Sequence, residues 1–262
     1  MPFVVRDDAG SEFTVETVSE NSSHLAAMLR LDSLGYPAFL SGNEATIRYW
    51  GDLFELAPDL QFVLLDGQAG HVLACGHAVP YVWNREPKRL PSGWDQALEL
   101  GIAGIRSGVA PTAVTALSIV GDPSARGRSL SAVTLHAMRR LVAAAGLRDL
   151  IAPVRPTLKC RYPLTAMDDY ARWRTHEGRM FDPWLRQHER LGAVCLGVAP
   201  RSMVVRASVE LWEQWTSLAM PRRGSYVVEG ALVPVDVADS GIGTYIEPNV
   251  WMHHDLPTEE ST

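Results

Sequence analysis

Apolar and polar positions alternate from Glu12 to Val18 and then switch to helical spacing over His24 to Leu31 and over Ala45 to Leu56, where Ile47, Trp50, Leu53 and Phe54 share a face. The pattern predicts one strand followed by two helices. Gln61 to Asp66 and Val72 to Tyr81 read as a hairpin turned between Gly67 and Gly70. A Pro-rich excursion from Arg85 to Gly93 leads to a helical segment, Trp94 to Ile105. Val114 to Val120 is apolar and β-branched, which predicts a strand, and Leu135, Met138, Leu141, Val142 and Ala145 mark an amphipathic helix behind it. Asp149 to Val154 reads as a short buried strand. A polar, aromatic-rich insertion, 157–180, follows, with a helix starting near Thr165. Asp182 caps a helix from Pro183 to Leu191 that Gly192 stops. Strands are predicted at Val194 to Val198 and Ser202 to Val209. Beyond Leu211 the chain is rich in Trp, Pro and Gly, and Trp212 and Trp215 read as part of a helical apolar stripe in the core.

The junction within Leu117 to Gly146 carries the most chemistry. Asp122 and Pro123 break the strand, and Arg126, Gly127, Arg128, Ser129, Leu130 and Ser131 lead into the helix. The first turn of a helix has backbone N–H groups without intrahelical partners and the positive end of the macrodipole, so a phosphate binds there readily. Two arginines and two hydroxyls strengthen that reading.

With 262 residues, 47% of them hydrophobic, the chain can bury a large core, and no apolar run approaches membrane-spanning length. The N-terminal residues do not resemble a secretory signal, so the cytoplasm is the expected compartment. Cys75, Cys160 and Cys195 fit neither a disulfide framework nor a CxxC metal site and are expected as buried, reduced thiols. A net charge of −6 argues against a general nucleic-acid surface, so any anion site must be local.

The order strand, helix, helix, hairpin, strand–loop–helix, strand, helix, strand, strand resembles the GNAT N-acetyltransferase superfamily. Val120, Pro123 and Arg126-Gly127-Arg128 match the family's pyrophosphate loop, while Ser129 and Ser131 stand where it has glycines. The resemblance implies an α/β (α+β) fold with a mixed, mainly antiparallel central sheet flanked by helices. Residues 1–210 would form the acyl-CoA-binding domain and 211–262 a C-terminal extension packed on it. It implies acetyl-CoA or another acyl-CoA as co-substrate. The backbone of Leu117, Ser118, Ile119 and Val120 would hold the thioester carbonyl, and Arg126, Gly127, Arg128, Ser129, Leu130 and Ser131 the pyrophosphate. Leu185 to Ala193 is similar to the family's helix before its next strand, and His188 stands where the family often has a tyrosine that protonates the departing thiolate. The resemblance therefore suggests His188 as general acid; the other reading is an inert histidine on an amphipathic helix.

The predicted strand before the loop contains no carboxylate or histidine to serve as base. Glu247 is the first alternative, set against an exposed loop carboxylate; His77 is another, set against a satisfied core histidine. His253 and His254 point to opposite sides of an extended strand, and no metal site is expected. Lys159, Arg161, Arg172 and Arg174 either hold the CoA 3′-phosphate or an acidic acceptor, or belong to a solvated face paired with Asp168, Asp169 and Glu177. The dense run Gly243 to His254 is a candidate pocket lining. The leading expectation is transfer of an acyl group from acyl-CoA to the amine of a small molecule, with a homodimer as the candidate assembly and neither nucleic acid nor membrane as partner. The alternatives are a CoA- or ligand-binding protein without turnover and a transferase using an acyl carrier protein or aminoacyl donor.

Overall fold

Alternation puts Phe13 and Val15 of Glu12–Thr17 in the core and leaves Glu12 in solvent, as a strand with one covered face requires. In the computed structural model, which describes residues 1–67, 70–125 and 130–257, this is the second of ten described strands in one sheet. The chain runs β1 (Phe3–Arg6), β2 (Glu12–Thr17), α1 (Leu25–Gly35), α2 (Glu44–Tyr49), α3 (Asp52–Leu56), β3 (Gln61–Asp66), β4 (Val72–Tyr81), α4 (Trp94–Arg106), β5 (Ala113–Gly121) and α5 (Leu130–Ala144). It continues through β6 (Asp149–Val154), α6 (Met167–Arg172), α7 (Pro183–Arg190), β7 (Val194–Ser208), α8 (Val209–Thr216), β8 (Gly224–Tyr226), β9 (Val235–Val237) and β10 (Ile242–Asp255). The order across the sheet is β1-β2-β3-β4-β5-β6-β10-β9-β8, with β7 also paired to β10, and only β5 and β6 are paired in parallel among the described strands.

Helices cover both faces. On one, α5 packs through Val133, Ala137 and Met138 on β1 to β5, and α6 and α7 pack through Met167, Tyr170 and Leu185 on β6 and β10. On the other, α1 sets Met28 and Leu31 on Val63, Cys75 and Val120, while α4 and α8 set Trp94, Leu98 and Trp212 on Val79, Val205 and Tyr245. No described helix is long and apolar enough to cross a membrane. The expected helix at 45–56 is two short ones separated at Gly51, and the strands expected on either side of Ala199-Pro200-Arg201 are one continuous strand, β7.

Two irregularities shape the site. His77 lies opposite Ser118 but Ala78 opposite Ala116, so Leu117 is an extra residue, a bulge in β5. Because side chains alternate with a period of two, the bulge reverses the sense of the strand: Ala116 before it and Ile119 after it face the same core. The parallel pairing of β5 with β6 covers only Ala113–Thr115 against Asp149–Ile151; beyond it the two strands are unpaired among the described residues. A gap in the sheet results.

The segment expected as a C-terminal extension contains β10, which lies inside the sheet. Its residues 250–255 pair with β6, while 242–253 pair antiparallel with β7 from Ser208 opposite Ile242 to Val194 opposite His253, with register shifts near Pro248 and Trp251. Residues 242–255 are thus part of the central sheet rather than an appendage to it.

Candidate active site

The gap between β5 and β6 opens into a cavity of about 740 Å³ that has walls from both sides of the sheet. Ser131, Leu135, Trp184 and His188 line it from the α5–α7 side; Asp32, Tyr36, Trp50, Trp94, Met203, Glu247 and Asn249 line it from the α1–α4 side. Leu117, Ser118 and Ile119 of the bulged strand, with Ala152 and Val154 of β6, form the walls between. A second cleft of about 520 Å³ shares Tyr36, Ile119, Ser131 and Trp184 with it and extends over Val120, Gly121, Asp122, Pro123 and Leu130. Of the residues expected to hold pyrophosphate, Leu130 and Ser131 are on α5 beside this cleft, and Arg126, Gly127, Arg128 and Ser129 lie outside the described residues.

On the α4 side, the carboxylate of Glu247 is fully buried and its oxygens are occupied. Arg155 Nε donates to Oε1 and Oε2 at 3.1 and 3.0 Å, Tyr245 Oη donates to Oε2 at 2.7 Å, and Asn249 Nδ2 donates to Oε1 at 3.1 Å. Tyr245 Oη in turn accepts from Leu232 N, and burial followed by the nearby Glu247 charge raises its pKa, so it remains a donor. Asn249 is oriented by Ser202, whose hydroxyl donates to Oδ1 while accepting from Trp94 N. Arg155 Nη2 donates to Gly230 O at 2.5 Å; no described residue accepts from Nη1. Burial opposes the guanidinium charge, but Glu247 together with Tyr245 and Tyr36 offsets it, and the pKa of Arg155 is raised. The cluster presents the cavity with a fixed cation that has donors to spare.

On the α7 side, His188 is buried and its Nδ1 lies 3.0 Å from Nε2 of His254 on β10. Its ring packs on Trp184 with centroids 4.6 Å apart, and its Nε2 has no hydrogen-bond partner among the described residues. Burial first, then the neighbouring His254 and Arg139, pushes the pKa of His188 well below the usual histidine range; burial, Arg139 and His253 bring His254 down to about 3. Both rings are neutral at pH 7. The facing nitrogens of the two neutral rings share one hydrogen bond, so one ring must donate to the other, and His254 Nδ1 has no hydrogen-bond partner among the described residues. The helix that carries His188 is fixed at its start by Asp182, which accepts from Trp184 N and Leu185 N and also from Thr157 N, Leu158 N and Tyr170 Oη. It ends at Gly192, whose φ of +83° suits glycine.

Other residues singled out in the sequence fall elsewhere. Lys159 is buried and donates to Tyr162 O and Leu232 O, so its ammonium is structural. Arg172 pairs with Asp169, and Tyr162, Tyr170, Trp173 and Phe181 make an aromatic cluster. The insertion is a small core as much as a polar face. Cys75 is buried, but Cys160 is half-buried and Cys195 exposed, which corrects the expectation of three buried thiols. His253 turns away from His254 to meet Asp149 at 2.7 Å. His77 is buried as a core histidine would be, but its Nε2 has no hydrogen-bond partner. Arg155, Tyr36 and Asp32 were not singled out in the sequence. Tyr36 Oη lies 2.9 Å from Ser118 Oγ, and burial pushes its pKa up to about 12. Arg155 stands between two prolines, which read only as the end of a strand.

No protein-family model matches the chain. Over 249 residues the chain is 30% identical to arginine N-acetyltransferase avaD of Aspergillus versicolor, an alignment that covers 84% of this chain and 85% of that protein. The fold is similar to the loading GNATL domain of CurA from Lyngbya majuscula, with a TM-score of 0.57 at 15% identity over 93% of this chain and 97% of that one. It is also similar to the GphF GNAT-like decarboxylase in complex with isobutyryl-CoA, with a TM-score of 0.54 at 19% identity over 93% and 99% of the two chains.

Proposed function

As a member of the GNAT superfamily of N-acetyltransferases, this chain is a CoA-dependent N-acyltransferase acting on an amine, and we propose that its acceptor is a small amino acid, its donor acetyl-CoA and its proton carrier His188. The observation that carries this reading is the cavity through the sheet, with a neutral histidine on one side and a clamped arginine on the other. Acyl-CoA enters on the α5–α7 side, its pyrophosphate at residues 126–131 and its thioester carbonyl against the backbone of Leu117 to Val120. The acceptor enters on the α1–α4 side, where Arg155 Nη1 meets its carboxylate through a charge-assisted hydrogen bond. The arginine named for the fungal relative has such a carboxylate.

Transfer needs one proton to move from nitrogen to sulfur. The amine attacks the thioester carbon, the C–N bond forms, and the C–S bond breaks to release CoA thiolate. In the tautomer that serves this step, His188 Nδ1–H donates to His254 Nε2, and His188 Nε2 is left with a lone pair. That lone pair takes the proton released by the attacking amine, and the resulting imidazolium delivers it to the thiolate. A neutral imidazole is a poor acid, so His188 serves as acid only after it has served as base. Glu247, with its oxygens occupied, is a positioning residue that holds Arg155.

Steady-state kinetics test both assignments. His188→Phe is expected to lower kcat about 10²–10⁴-fold with the KM for acetyl-CoA retained. Arg155→Met is expected to raise the KM for an amino acid about 10–100-fold and to leave that for its decarboxylated amine nearly unchanged. Full turnover by His188→Phe overturns the proton role, and equal effects on amino acid and amine overturn the carboxylate role.

A further inference from the structure

Beside the cavity, Asp32 on α1 reaches toward Cys75 and His77, which lie two residues apart on the same face of β4. Asp32 Oδ1 is 3.2 Å from His77 Nε2 and 3.7 Å from Cys75 Sγ, and one ligand atom from each of the three residues lies within 4.8 Å of the others. The cluster is closed on its far side by Trp50 and Phe54, whose rings lie 4.8 and 5.7 Å from that of His77.

One of the two ring positions of His77 is fixed by its neighbour. Gln61, fully buried on β3, donates both amide hydrogens to backbone carbonyls, to Ala57 O at 2.9 Å and Ala78 O at 2.8 Å. Its amide therefore cannot be turned over, and the atom it offers His77 Nδ1 at 3.1 Å is Oε1, an acceptor. His77 Nδ1 must carry a proton, which leaves a lone pair on Nε2 of the neutral ring. That lone pair is buried, outside hydrogen-bond geometry with any described residue, and aimed at a carboxylate whose other oxygen, Oδ2, is also buried without a partner among the described residues. Two acceptors facing each other repel unless something positive lies between them.

We propose that Asp32, Cys75 and His77 bind a borderline divalent cation of the Zn²⁺ class. Tetrahedral Zn²⁺ with nitrogen and oxygen at roughly 2.0–2.2 Å and sulfur at roughly 2.3 Å places its ligand atoms roughly 3.3–3.6 Å apart, close to the spacings around Asp32 Oδ1. A thiolate and an imidazole select this class over Mg²⁺ or Ca²⁺. Metal binding displaces the proton of Cys75 Sγ to solvent, and thiolate plus carboxylate then balance the charge of the ion. Gln61 supplies the support that metal-bound histidines usually have, an acceptor on the other ring nitrogen. An organic cation fits less well, because His77 is fully buried and does not line the cavity, whereas Asp32 does. The ion would fasten α1 to β4 at the edge of the acceptor side. This inference stands independently of the acceptor and of the role of His188.

The test is titration of tag-free, chelator-stripped, CoA-free protein with Co²⁺. Expected are saturation at one equivalent, a thiolate-to-cobalt absorption band in the near ultraviolet with tetrahedral d–d bands in the visible, and displacement by Zn²⁺. Cys75→Ser removes the near-ultraviolet band, and Gln61→Leu weakens binding about 10–100-fold. The wild-type spectrum decides the matter even where a variant folds poorly. No saturable thiolate band in the wild type, or the same band in Cys75→Ser, overturns the proposal and leaves His77 and Asp32 as a protonated ion pair.

Discussion

Removing the carboxylate of Glu247 separates a structural role from a chemical one. In the folded chain this carboxylate has no exposure, and three side chains donate to it, Arg155, Tyr245 and Asn249. Arg155 is 22% exposed and keeps only the Gly230 carbonyl as a further protein acceptor. Glu247→Ala therefore leaves a largely buried guanidinium, a phenol and an amide without their common acceptor. Removing one partner of a buried pair costs about 3–5 kcal/mol, most of it the penalty of the stranded charge. For a domain of this size each kcal/mol lowers Tm by about 2–4 °C, so a loss of about 10 °C is expected by calorimetry or circular dichroism. Converting both partners, Arg155→Met with Glu247→Leu, removes the stranded charge and should restore much of that loss, giving a coupling of a few kcal/mol in a double-mutant cycle. The isosteric Glu247→Gln should fold and retain turnover with a raised KM for an amino-acid acceptor. If Glu247→Ala melts within about 2 °C of the parent while turnover disappears, the carboxylate acts on the reacting amine and the clamp is refuted.

Two further expectations rest on the same elements. His188 and His254 are held neutral in the fold but titrate near 6.5 when unfolded, so the unfolded chain binds more protons and stability falls as pH drops through that value. Asp95, raised to about 6 by burial, works in the opposite sense, so these three groups leave a net uptake of about one proton on unfolding near pH 5.5, or about 1.4 kcal/mol per pH unit, and His136, lowered by burial and by Arg139 and Arg140, adds in the same direction. Denaturant melts between pH 7 and 5 should show that slope, and His254→Phe should flatten it; an unchanged slope in the variant refutes the assignment. At Gly93 an added Cβ would fall 2.1 Å from Ser202 Cα, so Gly93→Ala must push α4 away from β7 and break the Trp94–Ser202–Asn249 chain. A loss of about 1–3 kcal/mol and weakened acceptor binding are expected, and a neutral result in both measurements contradicts this account.

What the sequence makes legible is local. The hairpin of β3 and β4, the strand-to-helix passage from β5 to α5, and the Asp182 and Gly192 boundaries of α7 follow from periodicity and capping, and all are present. β10 is not legible because its middle, Glu247 to Met252, is buried on both faces, and a strand between two covered faces shows no alternation there. Pro248 within it argues against a central strand, but the register shift there accommodates a residue without an N–H. The bulge at Leu117 is equally silent, since one extra residue in an apolar run changes no composition. The contacts that make the site join positions far apart in the chain, His188 with His254, Arg155 with Glu247 and Asp32 with His77, and only the pairing of β6 with β10 and the packing of α7 and α1 on the sheet bring them together.

Strand parity explains why one strand supplies both sides of the site. On β10, Val250 and Met252 pack toward α6 and α7, and His254 shares that face and meets His188; Tyr245 packs toward α4 and α8, and Glu247 and Asn249 share its face. An intact sheet would keep these two sets apart. Here β5 and β6 stop pairing after Thr115 and Ile151, and the same cavity reaches His188 from one face and Glu247 from the other. In the proposed reaction, donor and acceptor approach from opposite faces and react within the gap, with the thiolate departing toward the α5–α7 side. A substitution that closes the gap should abolish transfer while each face keeps its own ligand, which is the consequence of building one active site from two sides of a sheet.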